Sequence, residues 1–342
     1  MTAERRNAQL IDSRFVAPGW LRNAHAQTML PVLPWAWPSR PLLRRETLEL
    51  PDGDVTAVDW MTAGDDLPDA APLLVILHGL EGSAQSSYAR MLMDAVLERG
   101  WRSCVLHFRD CGDYRNRLPR RYHAGETNDL RHFLNGIQRQ RQASGNPGPV
   151  LAVGYSLGGN VLLKYLGESK SETPLAAATA VCAPLDLHVC AEALNNGFSK
   201  GYQYYLLKRM KRSVAQKFNR HTAAFNWERA MNAGTFAEFD DFVTAPLHGF
   251  AGMKDYYDRC SATHFLGTIE RPTLIINALD DPFMSPAVIP NPDKLSEDVI
   301  LEVSKQGGHV GFISGGTPWR PQFYLPGRII EFLEPHASRP GL

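Results

Sequence analysis

Three features are scarce or missing in this chain, and each excludes a class of protein. Its 342 residues carry 36 basic and 36 acidic side chains, so it lacks the surplus of positive charge that a protein devoted to binding nucleic acid needs. No run approaches the roughly 18–20 consecutive apolar residues that cross a bilayer. No apolar core follows the basic start of the chain, so we expect no secretory signal.

Cysteine is scarce as well. There are five, an odd number, and none belongs to a C-x-x-C pair. This fits buried thiols in a reducing compartment better than a disulfide framework or a zinc site, and we therefore expect a cytoplasmic protein. The sequence has no H-E-x-x-H motif, no P-loop and no G-x-G-x-x-G after a strand, so we predict neither a metal nor a nucleotide cofactor.

Short apolar runs indicate the fold. Two alternating runs, 46–50 and 55–60, flank Asp52-Gly53 and predict an antiparallel hairpin, because both positions of an Asp-Gly turn tolerate positive φ. Later apolar runs are continuous, as strands covered on both faces require, and helical patterns such as 88–99 and 127–142 separate most of them. The sequence therefore predicts an α/β fold with a mostly parallel central sheet and helices on both faces. The predicted strands are 73–77, 103–108, 150–153, 176–181, 273–277 and 299–303.

The distribution of these elements divides the chain into three parts. For residues 1–45, the content of proline and tryptophan predicts an irregular N-terminal arm that packs over the rest of the protein. Residues 184–247 contain no convincing strand and many aromatic side chains, so we predict a helical cap insertion. The core of the fold is then 46–183 and 248–336. The arm is rich in proline and tryptophan: Pro31, Pro34, Trp35, Trp37, Pro38 and Pro41.

One motif carries the chemistry. Gly154-Tyr155-Ser156-Leu157-Gly158 fits G-x-S-x-G and lies between a predicted strand and the helical run 160–166. A sharp strand-to-helix turn lifts the serine Oγ into a cleft and aims the amides of the helix start at developing negative charge. The alternative is a glycine-rich turn with an incidental serine. The strand-to-helix context favours a nucleophile.

A serine nucleophile needs a base, and the base needs a carboxylate that holds its tautomer. In this architecture the two partners follow the serine in the order carboxylate, histidine, after late strands. His309 lies in a glycine-flanked loop after the last predicted strand, so we predict that it is the base. Asp280 and Asp281 both follow the strand before it. We favour Asp281, because Pro282 restricts its backbone, and Asp280 remains the alternative.

Stabilising an oxyanion requires two amide donors. One is the N–H of Leu157, which follows the serine. We predict that Leu80 supplies the other, from the loop His78-Gly79-Leu80-Glu81-Gly82-Ser83 after strand 73–77, because a His-Gly pair there is typical of lipases and esterases. A plain glycine-rich turn is the alternative interpretation of this loop.

Further segments accompany the predicted triad. They are Asn23-Ala24-His25-Ala26-Gln27-Thr28, the loop 78–83, Tyr122-His123-Ala124-Gly125-Glu126, Asn277-Ala278-Leu279-Asp280-Asp281-Pro282-Phe283 and Gly307-Gly308-His309-Val310-Gly311-Phe312. Taken together, these residues resemble the α/β-hydrolase superfamily and, within it, the YheT-like branch, also called AB hydrolase family 4. The resemblance runs from about residue 15 to residue 335. In that branch the nucleophile, acid and base fall on the positions that match Ser156, Asp281 and His309.

The resemblance implies a cofactor-free serine hydrolase whose substrates are small-molecule carboxylic esters with short to medium acyl chains or lipid-like character. The alternatives are a thioesterase, amidase or acyltransferase with the same triad, and a non-catalytic binding module on this fold. One segment departs from the pattern. Relatives usually carry Arg-Gly-Cys-Ser-Gly where this chain has Arg109-Asp110-Cys111-Gly112-Asp113, so we expect Asp110 to alter a loop beside the cleft.

The predicted cap helix 201–218 has a basic face. Lys208, Arg209 and Arg212 form this face, opposite an apolar stripe of Leu207, Met210, Val214 and Phe218. We interpret the basic face as the solvated side of an amphipathic helix, and peripheral contact with anionic lipid head groups is the alternative.

Two further histidines, His25 and His123, lie in segments near the cleft. We interpret them as structural histidines.

Overall fold

The computed structural model describes residues 10–33, 41–145 and 148–337. Four residues of the predicted Pro- and Trp-rich arm, Pro34, Trp35, Trp37 and Pro38, lie outside these ranges. No helix among the described residues has the length and apolar character that a membrane span requires.

A nine-stranded sheet forms the centre of the molecule. Its spatial order is β1-β9-β8-β7-β6-β4-β5-β3-β2. Every neighbouring pair is parallel except β2–β3 and β3–β5, which confirms the predicted mostly parallel sheet. The strands are β1 (Leu10–Asp12), β2 (Leu43–Glu49), β3 (Val55–Met61), β4 (Leu73–Leu77), β5 (Arg102–Leu106), β6 (Val150–Tyr155), β7 (Leu175–Val181), β8 (Thr273–Ala278) and β9 (Val299–Ser304).

Helices cover both faces of this sheet, because its central strands are apolar on both sides. Leu73, Val75 and Leu77 of β4 pack into one hydrophobic cluster, and Leu74 and Ile76 pack into another. The first cluster includes residues of α3 (Asn128–Ala143) and α4 (Leu157–Ser169). The second includes residues of α2 (Ser87–Leu97) and α11 (Tyr324–Ala337). A short helix, α1 (Ala24–Met29), precedes them in the chain.

The predicted hairpin at Asp52-Gly53 is confirmed, but its turn is longer than expected. Strands β2 and β3 pair in antiparallel register around a loop closed by a hydrogen bond from the Leu50 amide to the Asp54 carbonyl. Gly53 has a φ of 81°, whereas Asp52 is not among the residues with positive φ. The extra loop residues remove the need for a left-handed conformation at both positions.

The N-terminal arm is more regular than predicted. Residues of β1 pair in parallel with β9, α1 forms within the arm, and β2 begins at Leu43, inside the predicted arm of residues 1–45. A three-residue strand shows no periodicity in sequence, and its formation depends on a distant strand, with Leu10 paired to Leu301. A second, two-stranded sheet of β10 (Ile313–Thr317) and β11 (Arg320–Phe323) was also absent from the prediction.

The chain between β7 and β8 is helical, and its described residues include no strand. The predicted apolar stripe of α6 is buried in a hydrophobic cluster of this region, and Lys208, Arg209 and Arg212 are exposed. Helical structure continues beyond residue 247 through α10, and the division into core and cap remains a prediction. The helices here are α5 (Leu187–Ala193), α6 (Ser199–Lys217), α7 (Trp227–Asn232), α8 (Phe236–Phe239), a π-helical turn (Asp240–Thr244), α9 (Ala245–His248) and α10 (Met253–Cys260).

A buried arginine connects the hairpin loop to the body of the fold. The Arg109 guanidinium donates two hydrogen bonds of 2.7 Å to Asp129 of α3, and its third nitrogen donates to Asp52 and Asp54. The side chains of Arg109 and Asp54 are 2% and 0% exposed. Removing one partner of such a network leaves charges buried without compensation.

We therefore predict that Arg109→Met lowers the free energy of unfolding by about 3–5 kcal/mol, because Asp54 and Asp129 lose their counter-charge. Urea denaturation of the two proteins measures this difference. The matched control is Arg117→Met, which removes an exposed pair with Glu49 and should change stability little. A loss below about 1 kcal/mol for Arg109→Met would contradict this account.

Candidate active site

Ser156 lies at a sharp turn between β6 and α4, as the sequence motif predicts. Its φ of 51° and ψ of −121° are strained for a residue other than glycine, at a cost of order 1–3 kcal/mol. The flanking glycines permit this turn. A Cβ on Gly154 would lie 2.4 Å from the Gly158 carbonyl oxygen, and a Cβ on Gly158 would lie 2.5 Å from that of Leu77.

His309 and Asp281 lie beside this serine. The Nε2 atom of His309 is 3.0 Å from the Ser156 Oγ, and its Nδ1 atom is 2.7 Å from the Asp281 Oδ2. The structure thus brings the three predicted residues into one hydrogen-bonded chain. The Asp281 side chain is fully buried, and its Oδ1 accepts a hydrogen bond from the Phe283 amide. The Phe283 ring stacks on the imidazole with centroids 4.1 Å apart.

The two adjacent aspartates have different neighbours. Asp281 contacts the imidazole, whereas the Asp280 Oδ1 accepts a hydrogen bond of 2.9 Å from the Gly308 amide. Asp280 therefore fixes the loop that carries His309 and does not contact its ring. Burial raises the pKa of Asp280, although the amides of the glycine loop oppose that rise.

The N-terminal arm braces the histidine loop. The Thr28 Oγ1 accepts a hydrogen bond from the His309 amide, and the buried Gln27 side chain bonds both backbone groups of Ile313. A Cβ on Gly308 would lie 2.5 Å from the Ala24 carbonyl oxygen. The sequence analysis does not predict this support, although the segment 23–28 is one of those that carry the family resemblance.

The two predicted oxyanion donors line the same cavity as Ser156. Among the described residues, none accepts a hydrogen bond from the amide N–H of Leu80 or of Leu157. The loop of Leu80 approaches the serine closely, because a Cβ on Gly79 would lie 3.3 Å from the Ser156 Cβ. Two unused amide donors therefore flank the serine side of the cavity.

A buried neutral histidine, His78, fixes the loop that carries Leu80 through two hydrogen bonds of its ring. The His78 Nε2 accepts a hydrogen bond from the Phe108 amide, so its Nδ1 carries the proton and donates to the Gly79 carbonyl. Burial, together with the neighbouring His107, lowers the pKa of His78 to about 3. The Tyr88 hydroxyl accepts from the Gly79 amide. Both polar groups of Gly79 are thus held in place.

Glu81 connects the Leu80 loop to the cap. Its carboxylate accepts hydrogen bonds from the Tyr122 hydroxyl (2.9 Å), Arg121 (3.1 Å) and the Ser213 hydroxyl of α6 (2.5 Å). Its carbonyl accepts another from Arg209 of the same helix. Glu81 also has a positive φ of 52°. These contacts join two of the segments that carry the family resemblance, the loop 78–83 and the segment 122–126.

Asp110, where the sequence departs from the pattern of the family it resembles, also contacts α6. Its carboxylate lies 3.0 Å from the Lys217 Nζ and 3.4 Å from the Arg121 Nε. Its side chain is 1% exposed, and its φ is 65°. This residue therefore adds a charge pair between the loop beside the cleft and α6.

The two structural histidines of the sequence analysis contact the cap region. The His25 Nδ1 lies 3.2 Å from the Tyr202 hydroxyl of α6. The His123 ring packs against the ring of His248 at a centroid distance of 4.5 Å. Burial, with His248 next in importance, lowers the pKa of His123 well below its usual value.

A cavity with an empty volume of about 990 Å³, mouth included, opens at Ser156 and His309. Its wall is mostly apolar, which suits an acyl chain. The apolar side chains of the wall include Leu187, Leu194, Leu206, Met210, Phe236, Phe239, Val243, Leu247 and Met284.

One polar group of the wall is the carboxyl group of Asp240. Burial raises the pKa of this group to about 6, while hydrogen bonds from Thr244 and Tyr257 oppose the rise.

One cluster within the described ranges has side chains that could hold a metal ion. It consists of Cys182, Asp281 and His309, with ligand atoms within 4.8 Å of one another. Burial raises the pKa of the Cys182 thiol well above its usual value, and a thiol ligates metals poorly until it ionises. Two of the three members already make the hydrogen-bonded chain to Ser156.

Known proteins resemble this chain over most of its length. A sequence model described as the alpha/beta hydrolase fold matches residues 72–316. The chain is 41% identical to the Escherichia coli (strain K12) protein named "Putative esterase YheT", over 94% of this chain and 93% of that protein. It is 30% identical to the Mus musculus protein named "Phospholipase ABHD3", over 92% of this chain and 77% of that protein.

Solved structures share the fold. The esterase Pf2001 of Pyrococcus furiosus superposes with a TM-score of 0.57 over 96% of this chain and 98% of that chain, at 14% sequence identity. Such low identity establishes the architecture alone. The matched sequence model and the sequence relatives show that the chain belongs to the alpha/beta hydrolase fold family, in the YheT-like branch that its motifs predict, and that it is a carboxylic ester hydrolase.

Proposed function

We propose that Ser156, His309 and Asp281 cleave carboxylic esters through an acyl-enzyme. The observation that carries this proposal is the unbroken hydrogen-bonded chain from Asp281 through His309 to Ser156, at the mouth of an apolar cavity. A base within hydrogen-bond reach of a serine, itself oriented by a buried carboxylate, is the arrangement that nucleophilic acyl transfer needs.

In the proposed reaction, the Ser156 Oγ attacks the ester carbonyl while the His309 Nε2 takes its proton. The tetrahedral intermediate collapses, and His309 returns the proton to the departing alcohol. Water activated by the same nitrogen then attacks the acyl-enzyme and releases the acid. Asp281 holds the Nδ1 proton and stabilises the imidazolium that forms in both halves of the reaction.

The amides of Leu80 and Leu157 hold the oxyanion in this scheme. Their N–H groups have no acceptor among the described residues, and Leu157 is also the first residue of α4, where the helix dipole favours negative charge. Loss of one such donor typically raises the barrier by about 3–4 kcal/mol. Glu81 supports this role, because its contacts fix the residue next to Leu80.

The cavity supports short to medium acyl chains or lipid-like esters as substrates. Its apolar wall matches a hydrocarbon chain, and the printed name of one relative is a phospholipase. A thioesterase, amidase or acyltransferase would use the same three residues and differ in leaving group or acceptor. The relatives named as esterase and phospholipase favour oxygen esters.

Contact of the cap with a lipid surface stays a prediction. The observation that supports it is the pair of exposed rings on α6, Tyr204 and Tyr205, at 70% and 58% exposure. They lie on the same helix as the exposed Lys208 and Arg212. Aromatic rings beside basic side chains are typical of interfacial helices.

Ser156→Ala tests the nucleophile. We expect it to lower the turnover of short-chain p-nitrophenyl esters by at least about 10³-fold, because no other group can form the acyl-enzyme. Circular dichroism and thermal melting check that the variant stays folded. The control Ser314→Ala, at an exposed position, should keep full activity. Residual activity of Ser156→Ala within tenfold of the parent would contradict the proposal.

The adjacent aspartates provide a matched pair for the role of the acid. We expect Asp281→Asn to lower kcat by about 10⁴-fold, because an amide at this position favours the wrong imidazole tautomer. Asp280→Asn should lower kcat by less than about tenfold, since an amide oxygen can still accept from the Gly308 amide. Equal losses in the two variants, measured by steady-state kinetics, would refute the assignment of Asp281.

A further inference from the structure

The cavity that opens at Ser156 has a polar stretch of wall on the helical segment that follows α7. Helix α8, the π-helical turn and α9 follow one another without a break from Phe236 to His248. Asp240, Thr244 and His248 occur at intervals of four residues along this segment, and all three line the cavity. Residues at that spacing lie on one side of a helix, so they form a polar stripe within a mostly apolar wall.

Asp240 is a buried carboxyl group whose partners are hydroxyls. It is 8% exposed, and it accepts hydrogen bonds from the Thr244 hydroxyl (2.6 Å) and the Tyr257 hydroxyl (2.7 Å). Among the described residues, no lysine or arginine forms an ion pair with it. Each carboxylate oxygen has a second lone pair, and Thr244 keeps its own lone pairs after donating its hydrogen. This end of the stripe can therefore accept further hydrogen bonds.

His248 adds a group with no hydrogen-bond partner. Its ring packs on His123, but within the described ranges neither of its nitrogens makes a hydrogen bond. Burial, together with nearby arginines, lowers the pKa of His248 to about 3. The ring is therefore neutral at pH 7 and offers one N–H donor and one acceptor. The half-buried imidazole can therefore form hydrogen bonds with a molecule in the cavity.

The backbone at this position is unusual as well. The turn Asp240–Thr244 is π-helical, a rare conformation that occurs frequently at functional sites. It includes the two residues of the stripe that bond each other, Asp240 and Thr244. This observation is independent of the side-chain chemistry and marks the same stretch of wall.

We propose that Asp240, Thr244 and His248 form a subsite that binds a hydroxyl group of the ester substrate. A hydroxyl beside Thr244 can donate to that residue and accept from the His248 N–H one turn away, and a hydroxyl beside Asp240 can donate to its carboxylate. Hydroxyl chemistry therefore suits both ends of the stripe. A phosphate or carboxylate only accepts and would meet the Asp240 carboxylate. An ammonium only donates and would leave the His248 N–H unpaired. The assignment rests on the proposed ester hydrolysis, because the subsite lies in the cavity of Ser156.

Two matched substrate series test this subsite and locate the hydroxyl. The acyl series compares p-nitrophenyl alkanoates with and without a terminal hydroxyl. The alcohol series compares glycerol monoesters with propyl esters of the same acid. We expect the parent protein to prefer the hydroxylated member of one series by at least about tenfold in kcat/KM, since a buried polar site rejects an analogue that lacks the hydroxyl.

Three variants assign that preference to the stripe. Asp240→Asn, Thr244→Val and His248→Phe conserve size and should each bring the ratio of kcat/KM values closer to one. The control is Asp241→Asn, which makes the same chemical change at the next residue, an exposed position that does not line the cavity. It should keep the parent ratio. Because a ratio is compared within each protein, a general loss of activity does not affect the readout.

Binding gives a second readout without turnover. Calorimetry on Ser156→Ala compares matched alkanols and alkanediols, and we expect the diol to bind more tightly by a similar factor. Three results would overturn the subsite: no preference in either series, a preference that all three variants retain, or tighter binding of aminoalkanols or alkyl phosphates than of diols. If folded parent protein cleaves no ester while Ser156→Ala still prefers the diol, the proposed reaction fails and the subsite stands.

Discussion

The close packing of backbone at the Ser156 turn is the constraint on which the rest of the site depends. Gly154 and Gly158 approach neighbouring carbonyls more closely than any Cβ allows, and this holds the serine at a φ of 51°. The turn follows β6, and β4, β7, β8 and β9 run parallel to it in the same sheet. The loops after these strands therefore meet at one edge, and that edge collects Leu80, Ser156, Asp281 and His309.

Strain at this edge is shared among several loops. Glu81, Cys182 and Val310 also have positive φ values, and each follows a different parallel strand. Such conformations persist where surrounding contacts over-determine them. Here those contacts come from distant parts of the chain: Thr28 of α1 holds the His309 amide, and Ser213 of α6 holds Glu81. Helices α1 and α6 thus help to fix the geometry of a site whose reacting groups follow the parallel strands.

Local signals predicted the core well. Continuous apolar runs predicted the six strands β4 to β9 to within two residues, and β4 matched its predicted range of 73–77. The strand-to-helix context of Ser156 and the chain order of carboxylate and histidine depend only on neighbouring residues, so they too could be read in sequence. The choice of Asp281 over Asp280 followed from Pro282, and the structure places Asp281 against the imidazole.

Features that depend on distant partners could not be read in this way. Pairing of β1 with β9 and the contact of Thr28 with His309 link positions more than 280 residues apart. Glu81 looked like one residue of a glycine-rich loop, and its partners on α6 became visible only in the fold. The polar stripe of Asp240, Thr244 and His248 was hidden because it spans a five-residue π-helical turn and a four-residue helix, neither long enough to show periodicity.

Reaction with a fluorophosphonate, followed by intact mass and peptide mapping, tests the central claim most directly. Such a reagent labels a serine only when an assembled base and oxyanion site activate it. The account predicts one adduct per chain, on Ser156, and no adduct in a folded His309→Ala variant. A label on another residue, or labelling of Ser156 that is unchanged in His309→Ala, would contradict it.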